Sequence, residues 1–312
     1  MNAMDQSDIL DGTQWVTDGG LETDLLFNHG IDLPEFASFP LLDDTDGRAA
    51  LMRYFAEYAA IAAAAGSGLI LETPTWRANP DWATLLGYDA TALDRVNRDA
   101  VGLVRSAADR SGVEHVRLSG VVGPRGDGYI AAGANADAAA EYHSAQVRSF
   151  AEAGVDLVHA MTMTESAEAI GVVRAARAAG VPVAVSFTVE TDGRLPDGST
   201  LAGAVDELEA SAPADWYGVN CAHPTHVLPA IDGGSWTDRL RFFRPNASTM
   251  SHEELDAMEV LDPGDVDLLV SSAADLRGQA TLLSVIGGCC GTDSSHVAAL
   301  WGVHAPNRKL PG

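Results

Sequence analysis

Lysine is nearly absent from this chain: Lys309 is the only one in 312 residues, and arginine supplies the rest of the basic set. Against 19 Lys+Arg stand 44 Asp+Glu, a formal net charge of −25. Such a surface repels phosphate backbones and argues against nucleic acid as a partner. It reads as an ordinary solvated acidic surface, or as one suited to high salt, where self-repulsion is screened. Long apolar runs are missing too. No stretch of about 18 uncharged apolar residues occurs, and the alanine-rich segment from Tyr58 to Leu71 is too short to span a bilayer. Asp5, Asp8 and Asp11 occupy the place of a basic leader region, so no signal peptide is expected. These absences predict a cytoplasmic protein with no membrane contact. Cysteine is scarce as well: only Cys221, Cys289 and Cys290. Three cysteines without an export signal make no disulfide framework. That leaves inert buried thiols, a nucleophile or a metal site.

What is present is an alternation. Apolar residues make up 46% of the chain, enough for a sizeable core. Strand-like runs are expected at Trp15–Thr17, Gly68–Leu71, Val116–Val122, Val155–Met161, Val181–Val189, Trp216–Asn220, Leu240–Phe243 and Leu282–Ile286. Helical periodicity falls between them: Arg48–Ala65, Ala92–Ala108 with Thr91 as N-cap, Asp137–Ala153, Glu165–Ala179, Leu201–Ser211 and Ser294–Trp301. The runs are continuous rather than alternating, as strands buried on both faces require. Eight strands with intervening helices predict an α/β fold, a (β/α)8 TIM barrel, as one domain over residues 1–312. A doubly wound open sheet is the alternative. Pro40–Gly47 and Asn246–Pro263 read as long polar excursions on the barrel.

Barrel topology gives the cysteines a place. Functional groups in this fold gather at the C-terminal ends of strands. Cys221 ends the sixth strand, while Cys289 and Cys290 follow the eighth. Asp18, Glu72, Met161, Thr188 and Asn246 fall at or just after other strand ends, so one mouth collects them all. Three soft ligands suit zinc and leave one tetrahedral position open, which marks a catalytic site. A thiol bound there loses its proton near neutral pH and becomes a nucleophile. His223 and His226, close after Cys221, are either a fourth ligand or loop residues. His159 reads as a core or rim residue. Trp76 and Arg77 either line the site or cap the barrel mouth.

Gly218-Val219-Asn220-Cys221 and Gly287-Gly288-Cys289-Cys290-Gly291-Thr292 resemble the two zinc motifs of the homocysteine S-methyltransferase family. Asp18-Gly19-Gly20-Leu21-Glu22-Thr23 resembles that family's first-strand motif. Ser186-Phe187-Thr188 and Arg244-Pro245-Asn246-Ala247 resemble its segments around strands five and seven. The likeness runs from about Trp15 to Leu300. It implies a Zn2+-dependent, cobalamin-independent methyltransferase that moves a methyl group from a small sulfonium or quaternary ammonium donor to a thiol, homocysteine above all, giving methionine. It implies Cys221, Cys289 and Cys290 as the metal ligands. Asp18, Gly19, Gly20, Glu22, Glu72, Thr188 and Asn246 are expected at the substrate, with Asp18 and Asn220 in catalytic support. The expected partners are a small-molecule thiol and a methyl donor, and a homo-oligomer is compatible with the sequence.

Two departures from the family pattern bear on the acceptor. Where the family commonly carries a glutamate after strand four, this chain has Ala160-Met161-Thr162. Where it commonly has Thr-Asn-Thr after strand two, this chain has Thr73-Pro74-Thr75, preceded by Glu72. Glu72 is therefore expected to supply, from another strand, the negative charge that Met161 lacks. A different thiol acceptor, a zinc hydrolase using bound water, and a zinc- or thiol-binding protein without activity stand as the other readings.

Overall fold

Short apolar runs bounded by glycine and proline close into a barrel when each is covered on both faces. Here eight parallel strands pair in chain order: β1 Trp15–Val16, β2 Gly68–Glu72, β3 Val116–Val122, β4 Leu157–Met163, β5 Val183–Phe187, β6 Trp216–Asn220, β7 Leu240–Arg244 and β8 Val285–Ile286. β1 pairs with β8 and completes the ring. The computed structural model describes residues 9, 10 and 12–306. Asp5, Asp8, Asp11 and Lys309 lie outside the described residues.

Among the helices are α1 Thr45–Ala65, α2 Ala90–Ser111, α3 Ala136–Ala153, α4 Ser166–Ala179, α5 Leu201–Ser211, α6 Pro224–Val227, α7 Val266–Gln279 and α8 Ser294–Leu300, with further short ones at Leu21–Thr23, Pro80–Leu85 and His252–Asp256. The closed ring excludes the open sheet. Among the described residues no helix is long and apolar enough to cross a membrane. Helices α1 to α4 each stop at a left-handed glycine, Gly66, Gly112, Gly154 and Gly180, the usual helix-ending device.

Several local expectations need correction. The N-cap of α2 is Asp89, whose carboxylate accepts from Ala92 N, and Thr91 lies inside the helix. β4 starts and ends two residues later than expected, so Met161 lies within the strand. Strand β5 is trimmed at both ends, and β8 is only two residues long. Pro40–Gly47 is not a polar excursion. Phe39–Asp43 forms a tight 3-10 turn with Phe39 and Leu42 fully buried, and Asp44 caps α1. Helix α7 was not anticipated. Its buried residues Leu269, Ala273 and Leu276 share one face, but Val266 and Leu268 are exposed and blur the periodicity.

The barrel interior is layered, because alternate strand residues point inward. Trp15, Ile70, Leu157, Ala184, Trp216, Phe242 and Val285 pack as one apolar cluster inside the ring. Two residues further along the same strands come Glu72, His159, Ser186, Gly218 and Arg244. The second layer is therefore polar and buried. The intervening positions, such as Val158, Val185, Tyr217 and Phe243, pack outward into a cluster with the helices. Gly218 is required in the polar layer: a Cβ there would sit 2.6 Å from Ser186 Oγ and 2.5 Å from Phe242 Cβ. One more step along the strands reaches Met161, Asn220 and Cys221, at the mouth.

Candidate active site

The mouth opens into a cavity of about 350 Å³. Of the residues expected there, Asp18, Gly19, Gly20, Glu22, Glu72, Met161, Asn220, Cys221, Cys289 and Cys290 all line it, as do Trp76 and Arg77. Thr188 and Asn246 do not. They stand behind Cys221, whose carbonyl accepts from Thr188 Oγ1 at 3.2 Å and Asn246 Nδ2 at 3.1 Å. His223 and His226 are also outside the cavity. His223 caps α6, and His226 Nε2 donates to the Thr249 carbonyl.

The three sulfurs meet. Cys289 Sγ lies 2.9 Å and Cys290 Sγ 3.4 Å from Cys221 Sγ, and all three fall within 4.8 Å of one another. Backbone geometry brings this about. Cys221 has φ 58, a left-handed conformation uncommon for a residue with a Cβ, and it turns the chain sharply at the end of β6. Its carbonyl takes a third hydrogen bond, from His252 Nε2 at 2.7 Å. Cys289 N donates to the Pro245 carbonyl at 2.7 Å, and Ala247 N donates to the Cys290 carbonyl at 3.1 Å, which ties the end of β8 to that of β7. Gly20 packs against this loop so closely that a Cβ would lie 2.3 Å from Cys289 O.

Without a cation these thiols cannot all ionise. Hydrogen bonds from Cys221 and Cys290 hold Cys289 well below the usual thiol range, with the Arg244 guanidinium adding attraction. The hydrogen bond to Cys289 pushes Cys221 well above that range. Three soft donors thus stand close enough to oppose one another's ionisation. This donor set fits a tetrahedral thiophilic ion with one position free for a ligand.

Beneath the sulfurs lies the polar layer. Arg244 Nη1 pairs with Asp18 Oδ1 at 2.6 Å and with Glu72, while Nη2 donates to the Gly19 carbonyl. Glu72 Oε1 is also 2.7 Å from His159 Nδ1, and His159 Nε2 is 2.7 Å from Ser186 Oγ. Burial holds His159 at about 3, so the ring is neutral. Nδ1 then donates to Glu72, and Nε2 accepts from Ser186. Burial raises Asp18 despite the Arg244 charge, and burial raises Glu22 despite the hydrogen bond from Ser38.

Asn220 links strands. Its Oδ1 accepts from Thr162 N at 2.7 Å, and its Nδ2 donates to Thr162 Oγ1 at 2.8 Å and reaches Cys289 Sγ at 3.7 Å. Thr162 has φ 60 and sits where the β4–β5 register shifts between Ala160 and Met163. Met161 lines the cavity by the same inward phase as Leu157 and His159, at the place where the resemblance sets a glutamate.

Three participants escaped the sequence reading. Tyr129 Oη lies 3.3 Å from Cys221 Sγ and 3.6 Å from Cys290 Sγ. Its ring stacks on His252 at 4.0 Å between centroids. Arg244 was noticed only as part of a motif, although its inward phase on β7 pointed to the polar layer. The strand-end rule, applied to β3, leads to the loop that carries Tyr129. For His252 the available signal was the Ser251-His252-Glu253-Glu254 capping box, which starts a short helix, His252–Asp256, inside the long connection.

Comparison with known proteins agrees with this geometry. The homocysteine S-methyltransferase family matches residues 15–302. The fold is similar to that of the Escherichia coli homocysteine methyltransferase MmuM. Its metallated form superposes with TM-score 0.74 at 21% identity, over 94% of this chain and 96% of that one. The oxidized form gives 0.74 at 22% identity, over 93% and 95%. The apo form gives 0.66 at 20% identity, over 94% and 96%. At this identity the superposition speaks for the fold alone, whereas the family match spans nearly the whole barrel: the chain belongs to the homocysteine S-methyltransferase family, a family of methyltransferases.

Proposed function

We propose that this chain is a one-domain, zinc-dependent S-methyltransferase that transfers a methyl group from a small sulfonium or quaternary ammonium donor to a thiol, with homocysteine the first acceptor to test and methionine the product. The observation that carries this reading is the convergence of Cys221, Cys289 and Cys290 on one point of a cavity. Zinc held by these three sulfurs would supply the Lewis acidity that makes an incoming thiol a thiolate near neutral pH.

The protein's own residues do the rest. Thr188, Asn246 and His252 fix the strained Cys221 backbone. Asn220 holds Cys289 and the Thr162 turn together. Asp18 and Glu72 share one guanidinium, so an excess negative charge remains under the sulfurs. Six carboxylates line the cavity (Asp18, Glu22, Glu72, Asp127, Asp256 and Asp262) against two guanidinium groups, Arg77 and Arg244. This balance favours a cationic donor and the ammonium end of an amino acid acceptor. Glu22, whose one side-chain partner is Ser38, is the carboxylate best placed to meet that ammonium. Aligning donor and acceptor in a small cavity contributes much of the rate.

Cys290→Ala is expected to lose stoichiometric zinc and methyl transfer together. The decisive measurement is a matrix of small thiols, homocysteine included, against S-adenosylmethionine, S-methylmethionine and betaine, with metal content followed in parallel. Full retention of both metal and transfer in Cys290→Ala, or no methylated thiol from any pair, would sink the reading.

A further inference from the structure

The cavity wall that follows β2 carries a cation without an ion-pair partner among the described residues. Arg77 follows β2, and its guanidinium carbon lies 3.7 Å from the Trp82 ring centroid and 5.0 Å from that of Trp76. Stacking on indole faces orients the guanidinium plane but gives its in-plane N–H groups nothing to bind. Nε and Nη1 are buried and have no hydrogen-bond partner. Buried N–H groups are nearly always paired, so these two point to a partner that the protein does not supply.

The charges around the cavity narrow what that partner is. Arg244 is engaged by Asp18, Glu72 and the Gly19 carbonyl. Among the described residues lining the cavity, Arg77 is then the cation with no ion pair. Asp127, Glu22 and Glu35 act on it only through space. The guanidinium has two donor edges, Nη1 with Nη2 and Nη2 with Nε, and either matches a carboxylate in two-point contact that meets one of the unpaired nitrogens. A dianion such as phosphate would meet six carboxylates. A single carboxylate on a molecule that also carries a positive group would not suffer that repulsion.

We propose that Arg77 is the carboxylate subsite of the cavity and selects a zwitterionic, amino-acid-like or betaine-like ligand. The ligand class rests on the methyltransferase reading; the subsite itself rests on the unmet donors. The carboxylate belongs either to the thiol acceptor or to the methyl donor.

Equilibrium binding to the zinc-loaded protein, with each ligand alone and no turnover, tests this. Tryptophan fluorescence is a suitable signal, because Trp76 and Trp82 flank Arg77. Homocysteine is compared with 3-aminopropane-1-thiol, which lacks only the carboxylate, and glycine betaine with choline. In the wild type, one pair is expected to favour its carboxylate member by roughly ten- to a hundredfold, the usual worth of a charged hydrogen-bonded contact. The pair that discriminates identifies acceptor or donor. Arg77→Ala and the milder Arg77→Gln should bring that ratio below about twofold, with zinc content and binding of the neutral member unchanged. A wild-type ratio near one for both pairs, or an unchanged ratio in a folded Arg77→Gln, overturns the proposal. Absence of methyl transfer from every donor–acceptor combination would count against the methyltransferase reading instead, and these binding ratios would still decide the role of Arg77.

Discussion

The sulfur side of the cavity, at the ends of β6 and β8, and the indole side, after β2, differ in how their polar groups are satisfied. On the sulfur side, side chains from several strands and loops converge on one backbone carbonyl, that of Cys221, and Arg244 gathers Asp18, Glu72 and a carbonyl. Atoms are left over there too, Tyr54 Oη, Tyr58 Oη, Arg244 Nε and Asn246 Oδ1 among them, but beside a dense set of made bonds. On the indole side four buried donors cluster without partners: Trp76 Nε1, Trp82 Nε1 and two nitrogens of Arg77. The first arrangement is paired mostly within the protein, while the clustered donors of the second await a ligand. The difference teaches that reactivity and selectivity are housed separately. The sulfur half is preorganised by internal bonds, and the selective half is left open to whatever molecule completes it.

The most direct way to break that comparison is to remove the cation on which the sulfur side rests. Arg244→Met leaves Asp18 and Glu72 buried with no counter-charge. Breaking a buried ion pair by removing one partner costs about 3–5 kcal/mol. Urea unfolding should show a loss of that order, with weaker metal retention. A loss under about 1 kcal/mol would mean that the layer is not held by charge pairing, and the contrast with the indole side would dissolve.

Next in size is a pH effect from the same layer. His159 is held at about 3 in the folded protein against 6.5 for a free ring. Between those values the unfolded chain binds a proton that the folded one refuses. The stabilisation is therefore full above about pH 6.5 and is lost as pH falls towards 3. The slope is at most about 1.4 kcal/mol per pH unit. Thermal unfolding of metal-free protein across this window should be steeper in the wild type than in His159→Gln. Equal slopes would remove His159 as the source.

These two groups also show where the sequence was legible. The eight strands, their parallel order and the meeting of Cys221 with Cys289 and Cys290 followed from continuous apolar runs and from one rule about strand ends. The polar layer did not. Glu72, His159 and Arg244 lie on strands whose apolar runs hid a buried ion network. Their inward phase becomes visible only when the register across β2, β4 and β7 is known. The β4 irregularity at Met161–Thr162 escaped for a similar reason, since nothing local in Ala-Met-Thr signals a left-handed threonine. Helix α7 was missed because exposed apolar residues mask its buried face.

The smallest expected effect sharpens the boundary between the two sides. Tyr129 stands next to it: the ring stacks on His252 and the hydroxyl rests on two of the three sulfurs, while the preceding Gly128 packs closely on Trp76. Its loop is pinned at either side of Tyr129, by Arg125 N donating to Glu168 and by Ala132 N and Ala134 N donating to Glu165. Burial pushes the phenol well above its ordinary pKa, and the neighbouring Cys221 adds to this, so the hydroxyl stays protonated. A thiol drawn to the three cysteines would compete with this hydroxyl for its place beside them. Tyr129→Phe keeps the stack and removes only the obstacle. A hydrogen bond of this kind contributes about 0.5–1.5 kcal/mol. The KM for the thiol is therefore expected to fall by roughly three- to tenfold, with kcat and metal content nearly unchanged. A KM that rises instead would assign the hydroxyl to holding the acceptor, and the sulfur side would then share in selection as well as in chemistry.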